Sequence, residues 1–172
     1  RDAARRYGLQ QRDAEFAKLV ADFEAAAGGP ERNRYFQRMF EVLMARWGGD
    51  ILPLLLGAAS GDLSQVTPRW DAAVALCVVL AAPGYPGNIR KGLPITGLDV
   101  AAGIPGVMVA HAGTQLQDGV VQTSGGRVLC VTATGDQIDE LSDLAYQAVA
   151  ALHFDGMQYR RDIGHHARRA PC

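Results

Sequence analysis

The chain of 172 residues reads as an α+β protein. About three N-terminal helices are expected, then a small mixed or antiparallel sheet domain with a Gly/Pro-rich loop and one long amphipathic helix. Three observations predict this. Apolar residues recur at three- and four-residue spacing through the first third of the chain, which marks helix faces. From Asp71 the pattern switches to β-branched apolar runs bounded by Gly and Pro. After Gly135 the helical spacing returns.

The elements follow in order. Between Asp13 and Ala27, Phe16, Leu19, Val20 and Phe23 form one apolar face, and "GGP" at 28–30 stops the helix. A second helix is expected from Arg32 to Trp47, burying Tyr35, Phe36, Met39, Phe40, Leu43, Met44 and Trp47. Ile51 to Ala59 predicts a third, with Pro53 in the first turn, where proline is tolerated. Residues 60–70, "SGDLSQVTPRW", read as a linker with a short extended piece. The run "AAVALCVVLAA" predicts a strand buried on both faces. "GVMVAHAG" (106–113) is a second strand, and "GVVQTSGGRVLCVTATG" predicts a hairpin turning at Ser124-Gly125-Gly126. Thr134 to Gln137 fits a capping box, opening a helix to His153 with Ile138, Leu141, Leu144, Ala145, Ala148, Val149 and Leu152 as its core stripe. The domains expected are a helical segment, 1–60, and an α+β domain, 61–170.

Composition narrows the function classes. Seventeen Lys and Arg against eighteen Asp and Glu leave a formal charge of −1, which gives no reason to expect nucleic acid or an anionic membrane as partner. No apolar run is long enough to span a bilayer, and no signal-peptide pattern is present. Cys77, Cys130 and Cys172 match no zinc spacing. Buried or terminal thiols in a reducing, cytoplasmic setting are expected. Residue 1 is Arg rather than Met, as a fragment or trimmed chain would show.

The chemistry-bearing stretch is "APGYPGNIRKGLPITG" (82–97), longer than the 2–6 residues a plain connector needs. Its glycines let backbone N–H groups approach an anion. Arg90 can fork onto two oxygens, and Lys91 supplies a point charge. A solvated surface crossover would carry the same residues. His111 and Thr114, at a strand end, could place an imidazole and a hydroxyl over a ligand, and a lone histidine there also fits a satisfied structural group. Arg127 could reach the same side or be a hairpin-end charge. Glu31 and Asn33 could offer oxygens to Mg²⁺, but two residues apart on a helix start they face different ways, which also fits a helix cap. His165-His166 lies in a basic tail without further ligands nearby. No Walker loop or Ser/His/Asp or Cys/His nucleophile pattern occurs.

Several short motifs occur together in order. They are Gly84-Tyr85-Pro86-Gly87, Arg90-Lys91-Gly92, Ile95-Thr96-Gly97, His111-Ala112-Gly113-Thr114, Gly125-Gly126-Arg127-Val128-Leu129, Val131-Thr132-Ala133 and Tyr159-Arg160-Arg161-Asp162-Ile163-Gly164. Together they resemble the C-terminal domain of the phosphoribosylamine–glycine ligases, the glycinamide ribonucleotide synthetases. Leu43 to Trp70 resembles the end of the family's ATP-grasp region and its linker. The resemblance implies an ATP-dependent ligase of purine synthesis. It would join glycine to 5-phosphoribosylamine through an acyl phosphate, with ATP and Mg²⁺ or Mn²⁺. It implies that Gly84, Tyr85, Pro86, Arg90, Lys91, His111, Thr114 and Arg127 line the substrate or phosphate cleft, and that Glu31 and Asn33 retain part of a metal motif. Glu31 and Asn33 keep only the first pair of that motif, residues 1–30 show no resemblance, and Pro83 stands where the family usually has Gly. The nucleotide flap and ATP-binding lysines would belong to upstream ligase domains, so this chain is expected to be catalytically incomplete by itself. A non-catalytic ligand-binding or interaction module built on the same domain is the alternative expectation.

Overall fold

The computed structural model describes residues 41–165 and Ala167. The expected helix over 13–27, most of that over 32–47, and Glu31 and Asn33 lie outside the described residues. The chain divides into two compact units; of the described residues, Trp47–Trp70 belongs to one, and 41–46 with 71–165 and Ala167 to the other.

In the first unit, α1 (Leu52–Ser60) carries a proline in its first turn and ends on Gly61 in the left-handed conformation; the Gly61 N–H donates to the Ala58 carbonyl and the Asp62 N–H to the Gly57 carbonyl, which closes the helix. Asp50 accepts the Leu52 N–H at 3.0 Å. Trp47 and Trp70 form a short antiparallel bridge and meet edge to face at 5.2 Å between ring centres.

In the second unit, residues 41–45 are helical. Then come β1 (Val74–Ala81), α2 (Leu98–Ala102), β2 (Val107–His111), β3 (Thr114–Gln117), β4 (Val120–Thr123), β5 (Arg127–Gly135) and α3 (Ile138–Ala151). An antiparallel sheet of order β1-β5-β2 lies under α3, while β3 and β4 form a separate two-stranded sheet. Leu76, Val78 and Leu80 of β1 and Leu129, Val131 and Ala133 of β5 share the core face. They meet Leu141, Ala145, Ala148 and Val149 of α3, with Leu152 and Phe154 sealing the end. The apolar period of 3.6 on α3 matches the period of 2 on the strands beneath it, and each buried aliphatic side chain contributes about 1.5–3 kcal/mol.

Three local expectations are corrected. The β1 run is buried on one face only, because Cys77 and Val79 on the other face are half-exposed. The hairpin turn is Asp118-Gly119, both at positive φ (50° and 77°), and it joins β3 to β4. Ser124-Gly125-Gly126 instead carries the chain from one sheet to the other. Asp-Gly supplies the two left-handed residues that a two-residue hairpin needs. The capping box does not form: Gln137 is the N-cap without a side-chain bond, and Thr134 Oγ1 turns to the Gly106 carbonyl at 3.5 Å. Thr134 is the last pair but one in the β1–β5 ladder, so its backbone is held as strand. The short helix α2 has no counterpart among the expected elements.

Candidate functional site: one end of the three-stranded sheet

The Gly/Pro-rich stretch has two parts. Its second part is core. Pro94 bridges to Gln122, the Ile95 N–H donates to the Val121 carbonyl at 2.8 Å, and Leu93 and Ile95 are buried. The buried Thr123 hydroxyl accepts the Leu93 N–H at 3.1 Å. Thr96 pairs with His153 through reciprocal backbone bonds of 2.9 and 3.1 Å.

The first part, 83–91, projects. It is closed by bonds from Tyr85 N–H to Ala82, Gly87 N–H to Gly84 and Arg90 N–H to Pro83. Gly92 N–H donates to Thr123. These four amides are therefore committed inside the protein. The Tyr85–Pro86 bond is cis.

Neighbouring segments converge on this end of the sheet. Ala82 N–H donates to Gly126 at 2.8 Å, and the Tyr85 ring lies so close to Gly126 that a Cβ there would fall 2.6 Å from it. Gly113 donates to Arg127 at 2.7 Å and accepts from both Ser124 and Gly125. A Cβ on Gly113 would fall 2.7 Å from the Gly125 Cα, so only glycine permits this crossing. The His111–Thr114 corner is thereby bound to the start of β5, and a 3.0 Å hydrogen bond joins His111 Nδ1 to Thr114 Oγ1. Among the described residues, Nε2 makes no hydrogen bond. Arg90 Nη2 meets Asp155 Oδ2 at 2.8 Å, with both side chains more than half exposed. Asp155 follows the fully buried Phe154. The turn after it is anchored by reciprocal backbone bonds between Ala81 and Gln158. Pro83 packs on Gly156 of the same turn.

Tyr85, His111, Thr114 and Arg127 thus belong to segments tied at one sheet end, with Arg90 and the exposed Lys91 on the projecting loop beside them. Asp155, the partner of Arg90, was not among the residues expected from sequence. Nothing in "HFDGM" marks it, because the pairing spans 65 positions and arises only when the last turn folds back on β1.

The profile of the family described as "Phosphoribosylglycinamide synthetase, C domain" matches residues 75–166. The chain belongs to this family. It is 44% identical to the phosphoribosylamine–glycine ligase of Streptomyces coelicolor over 147 residues, covering 84% of this chain and 33% of the relative. It is 40% identical to the ligase of the same name from Vibrio cholerae over 155 residues, 90% of this chain and 34% of the relative. The chain therefore spans about a third of the length of these relatives. Among solved structures, the phosphoribosylamine–glycine ligase of Thermotoga maritima matches with a TM-score of 0.51 and 36% identity, over 65% of this chain and 27% of that one. A C-domain of this family is the setting in which the sheet end described above has to be understood.

Proposed function

We propose that this chain is the C-terminal part of a phosphoribosylamine–glycine ligase, and that its loop end faces the phosphoribosyl substrate. The match of the family profile over residues 75–166 carries this reading. In the reaction proposed, ATP activates the glycine carboxyl group as an acyl phosphate. The amine of 5-phosphoribosylamine then displaces phosphate to give glycinamide ribonucleotide.

The contribution of this chain is to hold and orient an anion. Arg90 offers a forked guanidinium and Lys91 a point charge. Asp155 holds the Arg90 guanidinium, at 2.8 Å, until an anion replaces it. An exposed ion pair of this kind is worth about 0–1 kcal/mol, so a doubly charged phosphate displaces the carboxylate at little cost. Tyr85 supplies a flat wall, and His111 with Thr114 a hydrogen-bonding corner. Gly84, Pro86 and Arg127 shape the surrounding backbone.

ATP with Mg²⁺ or Mn²⁺ is the cofactor that this reading brings. Among the described residues, no group of three or more His, Cys, Asp or Glu is placed to hold a metal ion. No step is assigned to a metal here. The ATP site and the acylation chemistry are assigned to upstream ligase domains. No helix among the described residues is long and apolar enough to cross a membrane.

Calorimetric titration with glycinamide ribonucleotide and with Mg-ATP tests the proposal. The ribonucleotide is expected to bind, and Arg90→Ala or Lys91→Ala to weaken it about tenfold or more, the worth of one charged hydrogen bond. Absence of heat from a chain that melts cooperatively would count against a site within this domain.

A further inference from the structure

The Arg90–Asp155 pair joins two segments whose backbones are held side by side. On one side, the Arg90 N–H donates to the Pro83 carbonyl at 3.2 Å, and Ile89 packs against the core. On the other, Asp155 follows the buried Phe154, and the Met157 N–H closes the turn on the Phe154 carbonyl at 3.1 Å. The reciprocal Ala81–Gln158 bonds and the packing of Pro83 on Gly156 fasten the two segments together. The Asp155 carboxylate therefore stays beside the loop whatever binds there. The long Arg90 side chain is the part that can turn.

The pair is also easily released, as a second exposed Arg–Asp pair in the chain makes plain. Arg160 forks onto Asp162 through both Nε and Nη2. Arg90 reaches Asp155 from Nη2 to Oδ2 at 2.8 Å, with no parallel bond from Nε among the described residues. Its side chain is 63% exposed and that of Asp155 69%. A fork fixes a guanidinium in one orientation, whereas a single exposed contact is readily exchanged.

The proposed reaction gives such an exchange a use. The phosphate of 5-phosphoribosylamine passes unchanged into glycinamide ribonucleotide. Grip on that group holds substrate and product alike and does not speed the chemical step. Arg90 and Lys91, unopposed, would retain the product. A carboxylate fixed within reach of the same guanidinium opposes them.

Resting on the ligase reading, we propose that Asp155 is a resident competitor for the substrate phosphate at Arg90. The guanidinium turns from the carboxylate to the phosphate when the ribosyl phosphate binds, and returns when the product leaves. Asp155 thereby sets the affinity of the site below what Arg90 and Lys91 alone would give, and promotes product release. No bond is made or broken in this exchange, and Asp155 regulates the site without being a catalytic residue.

The test is calorimetric titration of the full chain and of its Asp155→Asn and Asp155→Ala variants with glycinamide ribonucleotide. Both variants should bind about three- to tenfold tighter, because no pair has to be broken and a like charge beside the phosphate is gone. In an Arg90→Ala background the same changes should alter binding by less than about twofold. A carboxylate that supports the site or bonds to the sugar would give the opposite sign. Unchanged or weaker binding in both variants therefore overturns the proposal. An equal gain with and without Arg90 overturns it too, since that would be a general effect of charge. Absence of binding by the parent chain and both variants would sink the ligase-site reading and this inference with it. Binding by the parent chain with no gain in the variants would remove this inference alone.

Discussion

At Gly97 the backbone sits at φ +81°, and a Cβ would fall 1.8 Å from the Ala151 carbonyl oxygen. Gly97 also caps the start of α2, and Thr96 beside it is bonded to His153 in both directions. A side chain here cannot be relieved by rotation, because the obstacle is backbone. Gly97→Ala is expected to cost at least about 2 kcal/mol, the sum of a left-handed residue and a forced shift. The check is the urea midpoint at unchanged slope. Arg90 and Asp155 illustrate the other extreme. Their pair is exposed, so Arg90→Ala should leave the melting temperature within error while changing ligand binding. That outcome would separate binding from stability at this position.

Between elements, one hydroxyl fastens the backbone of the closing segment to α3. Tyr146 donates to the Arg160 carbonyl at 2.8 Å and accepts the Ile163 N–H at 3.1 Å. Arg160 forks onto Asp162, lowering the Asp162 pKa and raising its own, so that this pairing persists above the usual carboxylate range and is lost as pH falls through the depressed value. Arg161 lies over the Tyr159 ring at 5.6 Å. Tyr146→Phe removes both bonds of the hydroxyl at once. The expected loss is about 1–2 kcal/mol, read as faster hydrogen exchange at the Ile163 amide with α3 still protected. The Tyr159-to-Gly164 motif therefore has a structural meaning. It carries the backbone groups that α3 fastens.

Across the second unit, one core joins the three-stranded sheet, α3 and the buried half of the Gly/Pro-rich stretch. Phe154 is the largest of its fully buried side chains. Phe154→Ala should cost about 3–5 kcal/mol, a large share of the 5–15 kcal/mol that holds a typical domain. The same turn carries Asp155 and Gly156, so the variant should also disturb Arg90 and Pro83. Thermal unfolding followed together with ribonucleotide titration would show stability and binding falling in step, unlike Arg90→Ala.

What the sequence determined by itself was the periodic content and the family. The α3 stripe, the β1 and β2 runs, the proline-opened α1 and the ordered motifs of the C domain are all local signals, each contained within one element or one short motif. What only the tertiary structure decided was pairing. Whether Asp118-Gly119 or Ser124-Gly125-Gly126 turns a hairpin depends on which sheet each strand joins. Both are good turn sequences, and the β1–β5–β2 ladder decides between them. The capping box at Thr134 fails for the same reason, since a strand partner already holds that backbone. The burial of Leu93 and Ile95 and the salt bridge from Arg90 to Asp155 both join residues distant in sequence. No local pattern encodes such contacts, because register and fold-back set them.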